Sequence, residues 1–144
     1  EILGVPEKLE TQELKGKPQW VKKFQDLTAV IDSAGLCLFT SFALGLEEYK
    51  DLVNVVGNYD LSGEELMKIG ERIYTLEKSF NLKAGIATQE DTLPPRFFKE
   101  PLPDGSQKGC VSHLNEILPE YYSLRGWDEK GVPTEKTLKS LNIT

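Results

Sequence analysis

The chain has 144 residues, of which 39% are apolar and 28% are charged, a balance that argues for one globular domain over residues 1–144 and against a disordered chain. Its net charge of −6 argues against DNA or RNA as a partner, because binding a polyanion needs clustered Lys and Arg. The longest apolar stretch, residues 36–46, is too short to span a bilayer, and residues 1–10 have no signal-peptide pattern, so we expect a soluble, cytoplasmic domain with no membrane partner.

The first predicted element is a helix that begins near Trp20. Apolar residues recur there at helical spacing and share one face, namely Trp20, Phe24, Leu27 and Ile31. The helix leads into the segment DSAGLC, residues 32–37. Residues 38–57 remain rich in apolar side chains, with breaks at Gly45 and Gly57, which predicts short helices and not strands.

The clearest helix lies between Leu61 and Gly85. Ser62 is placed to cap its start, and Glu65 completes a capping box three residues later. Gly85 is placed to end it. Its buried face should carry the apolar residues at intervals of three and four, which are Leu66, Ile69, Ile73, Leu76 and Phe80.

Residues 86–109 contain four prolines, which exclude a long regular element. Helical spacing returns between Val111 and Tyr122, before a stop at Gly126. Thr134 is placed to cap a last short helix through Leu141. Because no stretch alternates as a strand does, we predict an all-α fold, a helical bundle with a long proline-rich irregular segment.

Three residues of the DSAGLC segment are costly inside a helical core. Asp32 either caps a turn and points to water, or accepts hydrogen bonds from a ligand rich in N–H groups. Gly35 allows a left-handed backbone or the close approach of a bulky group. Cys37 is either a small buried hydrophobe or a metal-binding thiolate. If Cys37 binds an iron–sulfur cluster, the other three ligands must come from elsewhere, because the chain has only one more cysteine, Cys110.

Five segments follow one another along the chain: DSAGLC, FNLKAG, DTLPPRF, EPLPDG and YYSLRGWDEKGVPT. Together they resemble the C-terminal part of the tungsten-containing aldehyde ferredoxin oxidoreductases, and the resemblance extends over nearly the whole chain. It implies the third, helical domain of an enzyme that holds a tungstopterin and a [4Fe–4S] cluster between its domains. The chain starts at Glu1 and has a single internal Met67, so we expect a piece of a longer protein.

The resemblance also implies roles for four residues. Asp32 would be a hydrogen-bond partner of a pterin, Gly35 and Leu36 would bring the backbone near that pterin, and Cys37 would be the fourth cluster thiolate. No catalytic residue is assigned in this chain. The family's CxxCxxxC run is absent, so we expect the isolated chain to hold neither cluster nor tungsten or molybdenum pterin, and to be inactive.

Four further residues receive no role from the sequence. His113, the single histidine, is expected to be exposed or to cap a helix, and Cys110 to be a structural thiol at a helix start. Asp91 and Arg96 fall in the proline-rich segment, where they could form a surface pair. The cluster of Tyr121, Tyr122 and Trp127 is expected to serve packing.

Two hypotheses follow. In the first, the chain is part of an oxidoreductase that converts an aldehyde and water into a carboxylic acid, with two electrons leaving through the cluster to ferredoxin; its partners are the remaining domains of the parent enzyme. In the second, it is a stand-alone helical binding or scaffold module without catalysis. The first predicts an open apolar surface around Asp32 and Cys37, and the second predicts that both residues are buried and paired.

Overall fold

The computed structural model describes residues 10–86 and 88–143. It contains the helices α1 (Lys17–Ser33), α2 (Leu46–Gly57), α3 (Gly63–Lys83), α4 (Arg96–Lys99), α5 (Leu114–Arg125) and α6 (Glu135–Ser140), with 3₁₀ turns at Leu38–Phe42 and Thr88–Glu90. The only β-type pairing among these residues is one isolated bridge between Trp127 and Pro133. The all-α prediction is therefore confirmed. That residues 1–144 form one domain stays a prediction.

Local signals in the sequence set where the helices begin and end. At the start of α3, the Glu65 N–H donates to Ser62 Oγ at 3.2 Å, and the Ser62 N–H donates to Glu65 Oε2 at 2.8 Å. This is the predicted capping box. Thr134 accepts from the Thr137 N–H at 3.3 Å and caps α6 as expected. No described helix is both long enough and apolar enough to cross a membrane.

The core lies where α1 meets α2 and α3. Leu27, Ile31 and Tyr49 are buried together, and the partly buried side chains around them are Leu36, Leu44, Leu46 and Met67. The predicted apolar faces are only partly covered by the described residues. Phe24 on α1 is 45% exposed, and Leu76 and Phe80 near the end of α3 are 54% and 69% exposed.

A buried ion pair joins α1 to α5. Arg125 and Asp26 are 1% and 2% exposed, and Arg125 Nη1 donates to Asp26 Oδ1. Arg125 also donates to Gln25 Oε1 at 2.8 Å and to the Tyr121 hydroxyl at 3.0 Å. Lys22 extends the network to α3, since its Nζ lies 2.9 Å from Asp26 Oδ2 and 3.0 Å from Glu71 Oε1. Charge as well as packing thus joins α1 to both α3 and α5.

We expect Arg125→Met to lower the free energy of unfolding by about 3–5 kcal/mol, because it leaves the Asp26 carboxylate buried without its main partner. Asp26→Asn should also destabilise, and the double variant should lose less than the sum of the two single losses. Urea denaturation measures all three. Lys139→Met is the control, because its ion pair with Glu135 is exposed and should contribute less than about 1 kcal/mol. Additive losses would refute a coupled pair.

Candidate functional site

The segment 32–37 forms the turn that ends α1. The Gly35 N–H donates to the Asp32 carbonyl and the Leu36 N–H donates to the Ile31 carbonyl, both at 3.0 Å. These two bonds are the Schellman pattern, in which a left-handed residue satisfies the last carbonyls of a helix. Gly35 has φ +70°, a conformation that costs side chains other than glycine energy. The backbone conformation itself therefore favours glycine at this position.

Leu36 secures the turn to the core. Its half-buried side chain packs against the cluster of Leu27, Ile31 and Tyr49. An apolar contact between the residue after the left-handed position and the last turn of the helix commonly accompanies this type of helix end. The side chain of Leu36 therefore points inward, so only its backbone remains for contact with a ligand.

Cys37 follows this turn and precedes the 3₁₀ turn Leu38–Phe42. Its carbonyl accepts from the Thr40 N–H at 3.0 Å and from Thr40 Oγ1 at 2.6 Å. Thr40 Oγ1 lies 2.7 Å from the hydroxyl of Tyr49, which is completely buried. The backbone of Cys37 is thus attached to the core, while its thiol is free and exposed.

Asp32 is exposed at the end of α1. None of the residues described by the structure forms an ion pair or hydrogen bond with its carboxylate. The last turn of α1 carries no basic residue, and the negative end of the helix dipole disfavours a carboxylate at this position by about 0.3–1 kcal/mol. The side chain of Asp32 therefore makes no stabilising contact with the described residues, and its carboxylate is available to accept hydrogen bonds.

An apolar surface borders the thiol. Phe39 and Phe42 stack with their ring centroids 6.0 Å apart and are 77% and 78% exposed. Leu38, next to Cys37, is 48% exposed. Large side chains of this kind on adjacent turns are typical of surfaces that contact another protein segment or a ligand. The described part of the chain thus places the carboxylate, the thiol and an uncovered aromatic pair along one short segment.

Asp91, a candidate without a role in the sequence analysis, has contacts of its own in the structure. Asp91 accepts from Lys78 Nζ at 2.6 and 2.8 Å and from the Tyr122 hydroxyl at 2.9 Å, so it attaches the proline-rich segment to α3 and α5. The surface pair considered for Asp91 and Arg96 is wrong, because Asp91 pairs with Lys78. Burial is the main cause that raises the pKa of Tyr122 to about 12, and the hydrogen bond to Asp91 adds to this rise.

Within residues 10–86 and 88–143, no set of metal ligands surrounds His113 or Cys110. His113 precedes α5, and its Nδ1 lies 2.6 Å from Glu116 Oε1. Cys110 is half-buried. The prediction that it lies at a helix start is wrong, because α5 begins at Leu114. Among the described residues, no group of three or more His, Cys, Asp or Glu side chains lies close enough to hold a metal ion.

The contacts that sequence reasoning missed join side chains on different elements. No sequence motif indicates the ion pair of Asp26 with Arg125 or the hydrogen bond between Thr40 and Tyr49. Helical spacing is the one signal that could have predicted that Tyr49 faces the core. Tyr121, Tyr122 and Trp127 pack together as expected, with Trp127 stacked on Tyr74 at 6.5 Å between centroids.

A family model described as aldehyde ferredoxin oxidoreductase, domains 2 and 3, matches residues 1–143. The chain belongs to this family. It is 51% identical, over 99% of its length, to the tungsten-containing aldehyde ferredoxin oxidoreductases of Pyrococcus horikoshii and Pyrococcus furiosus. It is 34% identical over 80% of its length to the WOR-like subunit of the aliphatic sulfonate oxidoreductase of Pyrococcus furiosus. The family resemblance seen in the five segments is confirmed.

The chain spans 24% of the length of the two tungsten-containing relatives. A solved structure titled as the active site complex BamBC of benzoyl coenzyme A reductase, in complex with 1,5-dienoyl-CoA, also matches. The match covers 99% of this chain and 21% of the solved chain, with a TM-score of 0.75 and 24% identity. At that identity the match concerns the fold alone, and it supports the helical arrangement described above.

We expect Gly35→Ala to lower the free energy of unfolding by about 1–2 kcal/mol, because alanine must adopt the left-handed conformation. Gly85→Ala is a matched control, since Gly85 ends α3 with the same pair of bonds and φ +89°, and neither glycine has an atom within 4 Å of an added Cβ. Both variants should lose similar stability in urea denaturation. Only Gly35→Ala should change the rate at which iodoacetamide alkylates Cys37, and an equal effect of Gly85→Ala would contradict a local role.

Proposed function

We propose that this chain is the C-terminal helical part of a tungsten or molybdenum pterin oxidoreductase that oxidises aldehydes to carboxylic acids. Membership of the aldehyde ferredoxin oxidoreductase family and the names of its tungsten-containing relatives support this activity. An aldehyde and water give a carboxylic acid, two protons and two electrons. When bound, a [4Fe–4S] cluster would supply the route by which these electrons leave for ferredoxin, and the remaining domains of the parent enzyme would be the partners of this chain.

One observation carries the proposal. The Asp32 carboxylate, which has no partner among residues 10–86 and 88–143, and the free thiol of Cys37 are both exposed on a segment whose backbone is anchored in the core. An ionised carboxylate only accepts hydrogen bonds, which matches the N–H groups of a pterin. A thiolate is the ligand that iron–sulfur clusters require. The two side chains therefore fit the two cofactors of such an enzyme.

Asp32 would hold the pterin by accepting hydrogen bonds, and Cys37 would supply one cluster ligand. Gly35 leaves open space beside the backbone, since an added Cβ would meet no atom within 4 Å, so a planar group could approach there. Leu36 would contribute its backbone and would hold the turn through its inward side chain. When bound, the cofactors supply the oxygen-atom and electron-transfer chemistry, and this chain supplies binding and orientation.

The remaining three cluster ligands would come from outside residues 10–86 and 88–143, because the described residues bring no other cysteine to Cys37. The exposed Phe39 and Phe42 would then be covered by the domains that provide those ligands. A stand-alone module would be expected to bury such a pair and to pair the Asp32 carboxylate. The exposure of all four side chains therefore favours the oxidoreductase over the scaffold alternative.

We expect Cys37→Ser in the full-length enzyme to lose the cluster or to change its electron paramagnetic resonance (EPR) spectrum, because an alkoxide replaces a soft thiolate ligand. Iron content and the EPR spectrum of the reduced enzyme are the measurements. Cys110→Ser is the matched control, because Cys110 lies in a different loop, and it should behave as the unaltered enzyme. A Cys37→Ser enzyme with unaltered iron content and spectrum would refute the assignment.

We expect the 144-residue chain by itself to assemble no stoichiometric [4Fe–4S] cluster, since Cys37 offers one thiolate where four are needed. Anaerobic incubation with iron and sulfide, followed by absorption spectroscopy and iron analysis, tests this expectation. A stable spectrum with four irons per chain would contradict it. Aldehyde oxidation by the chain alone would contradict the related expectation that the isolated chain is inactive.

A further inference from the structure

Two hydroxyl groups connect Cys37 to the core. Thr40 Oγ1 donates its single hydrogen to the Cys37 carbonyl at 2.6 Å. Because a threonine hydroxyl has one hydrogen, the contact of 2.7 Å between Thr40 Oγ1 and the Tyr49 hydroxyl must have Tyr49 as donor. The Tyr49 hydroxyl therefore donates to Thr40 Oγ1, and the Thr40 hydroxyl donates to the Cys37 carbonyl. We call these three residues the hydroxyl relay.

The end of the relay at Tyr49 is rigid. Tyr49 is 0% exposed, lies on α2 and forms the core cluster with Leu27 and Ile31. A ring packed on all sides holds its hydroxyl at one position, whereas Thr40 is exposed and would otherwise exchange partners with water. The second hydrogen bond thus selects the Thr40 rotamer that reaches Cys37.

The two ends of the segment 32–37 are secured by different helices. Asp32 belongs to α1, and the backbone after Gly35 turns away from that helix. The relay fixes the Cys37 carbonyl to α2 through Tyr49. The separation between the Asp32 carboxylate and the Cys37 thiol therefore depends on both attachments.

We propose that Thr40 and Tyr49 are positioning residues for Cys37, which set the direction of its thiolate toward the cluster relative to Asp32. The inference rests on the proposed function, in which Cys37 binds the cluster. Neither residue needs to touch a cofactor, because both act through the backbone of Cys37. Groups that hydrogen-bond to a metal ligand orient that ligand and tune the metal centre. A small displacement of Cys37 should therefore change the spectrum and the reduction potential of the cluster.

The test uses Thr40→Val and Tyr49→Phe, each of which removes one hydroxyl at nearly constant volume. Thr40→Ser keeps the hydroxyl and is the rescue variant. Tyr59→Phe is the matched control, because Tyr59 is 62% exposed and its hydroxyl has no hydrogen-bond partner among the described residues. Thermal denaturation of each variant reports whether the fold is retained.

In the 144-residue chain with Cys110→Ser, the rate of Cys37 alkylation by iodoacetamide reports the thiol directly. We expect Thr40→Val and Tyr49→Phe each to change this rate by about fivefold, the factor that one net hydrogen bond represents. Thr40→Ser and Tyr59→Phe should leave it unchanged. Equal rates in all variants would overturn the inference, even if Thr40→Val and Tyr49→Phe lower the melting temperature.

In the full-length enzyme, the same two variants should keep their iron but shift the EPR spectrum and the reduction potential of the cluster. If both variants had the spectrum and reduction potential of the unaltered enzyme, the inference would be overturned. The proposed function would still stand if Cys37→Ser altered the cluster. A Cys37→Ser enzyme with an unaltered cluster would instead overturn the proposed function itself. The two failures are therefore distinguishable.

Discussion

The position of α1 depends on one residue, Asp26, that is constrained from two sides. On one side its backbone carbonyl contacts Gly70 of α3 so closely that a Cβ at Gly70 would lie 2.0 Å from the Asp26 oxygen. On the other side its carboxylate binds Arg125 of α5. The first contact sets how near α1 and α3 approach, and the second prevents α5 from moving away without leaving a buried charge unpaired.

This constraint determines where the candidate site lies. Asp32 follows Asp26 by six residues, which is about 9 Å along a straight helix at 1.5 Å per residue. Once Asp26 is held, the end of α1, the turn at Gly35 and the start of the segment with Cys37 have little freedom. The ion pair of Asp26 and Arg125 is buried and the site is exposed, so rigidity comes from the core and accessibility from the surface.

The distribution of exposed apolar side chains fits a domain that is covered on several faces by other parts of an enzyme. Phe39 and Phe42 beside the thiol are the largest such pair, and Val55 and Val56 at the end of α2 are 82% and 86% exposed. Isolated soluble domains rarely expose large contiguous apolar patches. The chain spans about a quarter of its tungsten-containing relatives, at 24%, so much of the covering surface would belong to the remaining domains.

The sequence by itself determined the helical class, the capping box of Ser62 and Glu65 and the glycine, Gly85, that ends α3, because each depends on residues within one or two turns of the chain. It also determined the family, through five segments in a constant order. Only the tertiary structure decided that Asp26 meets Arg125, that Asp91 pairs with Lys78 and not with Arg96, and that Tyr49 reaches Thr40. Those partners lie on different elements, and helical spacing describes which side a residue faces but not which side chain it meets there.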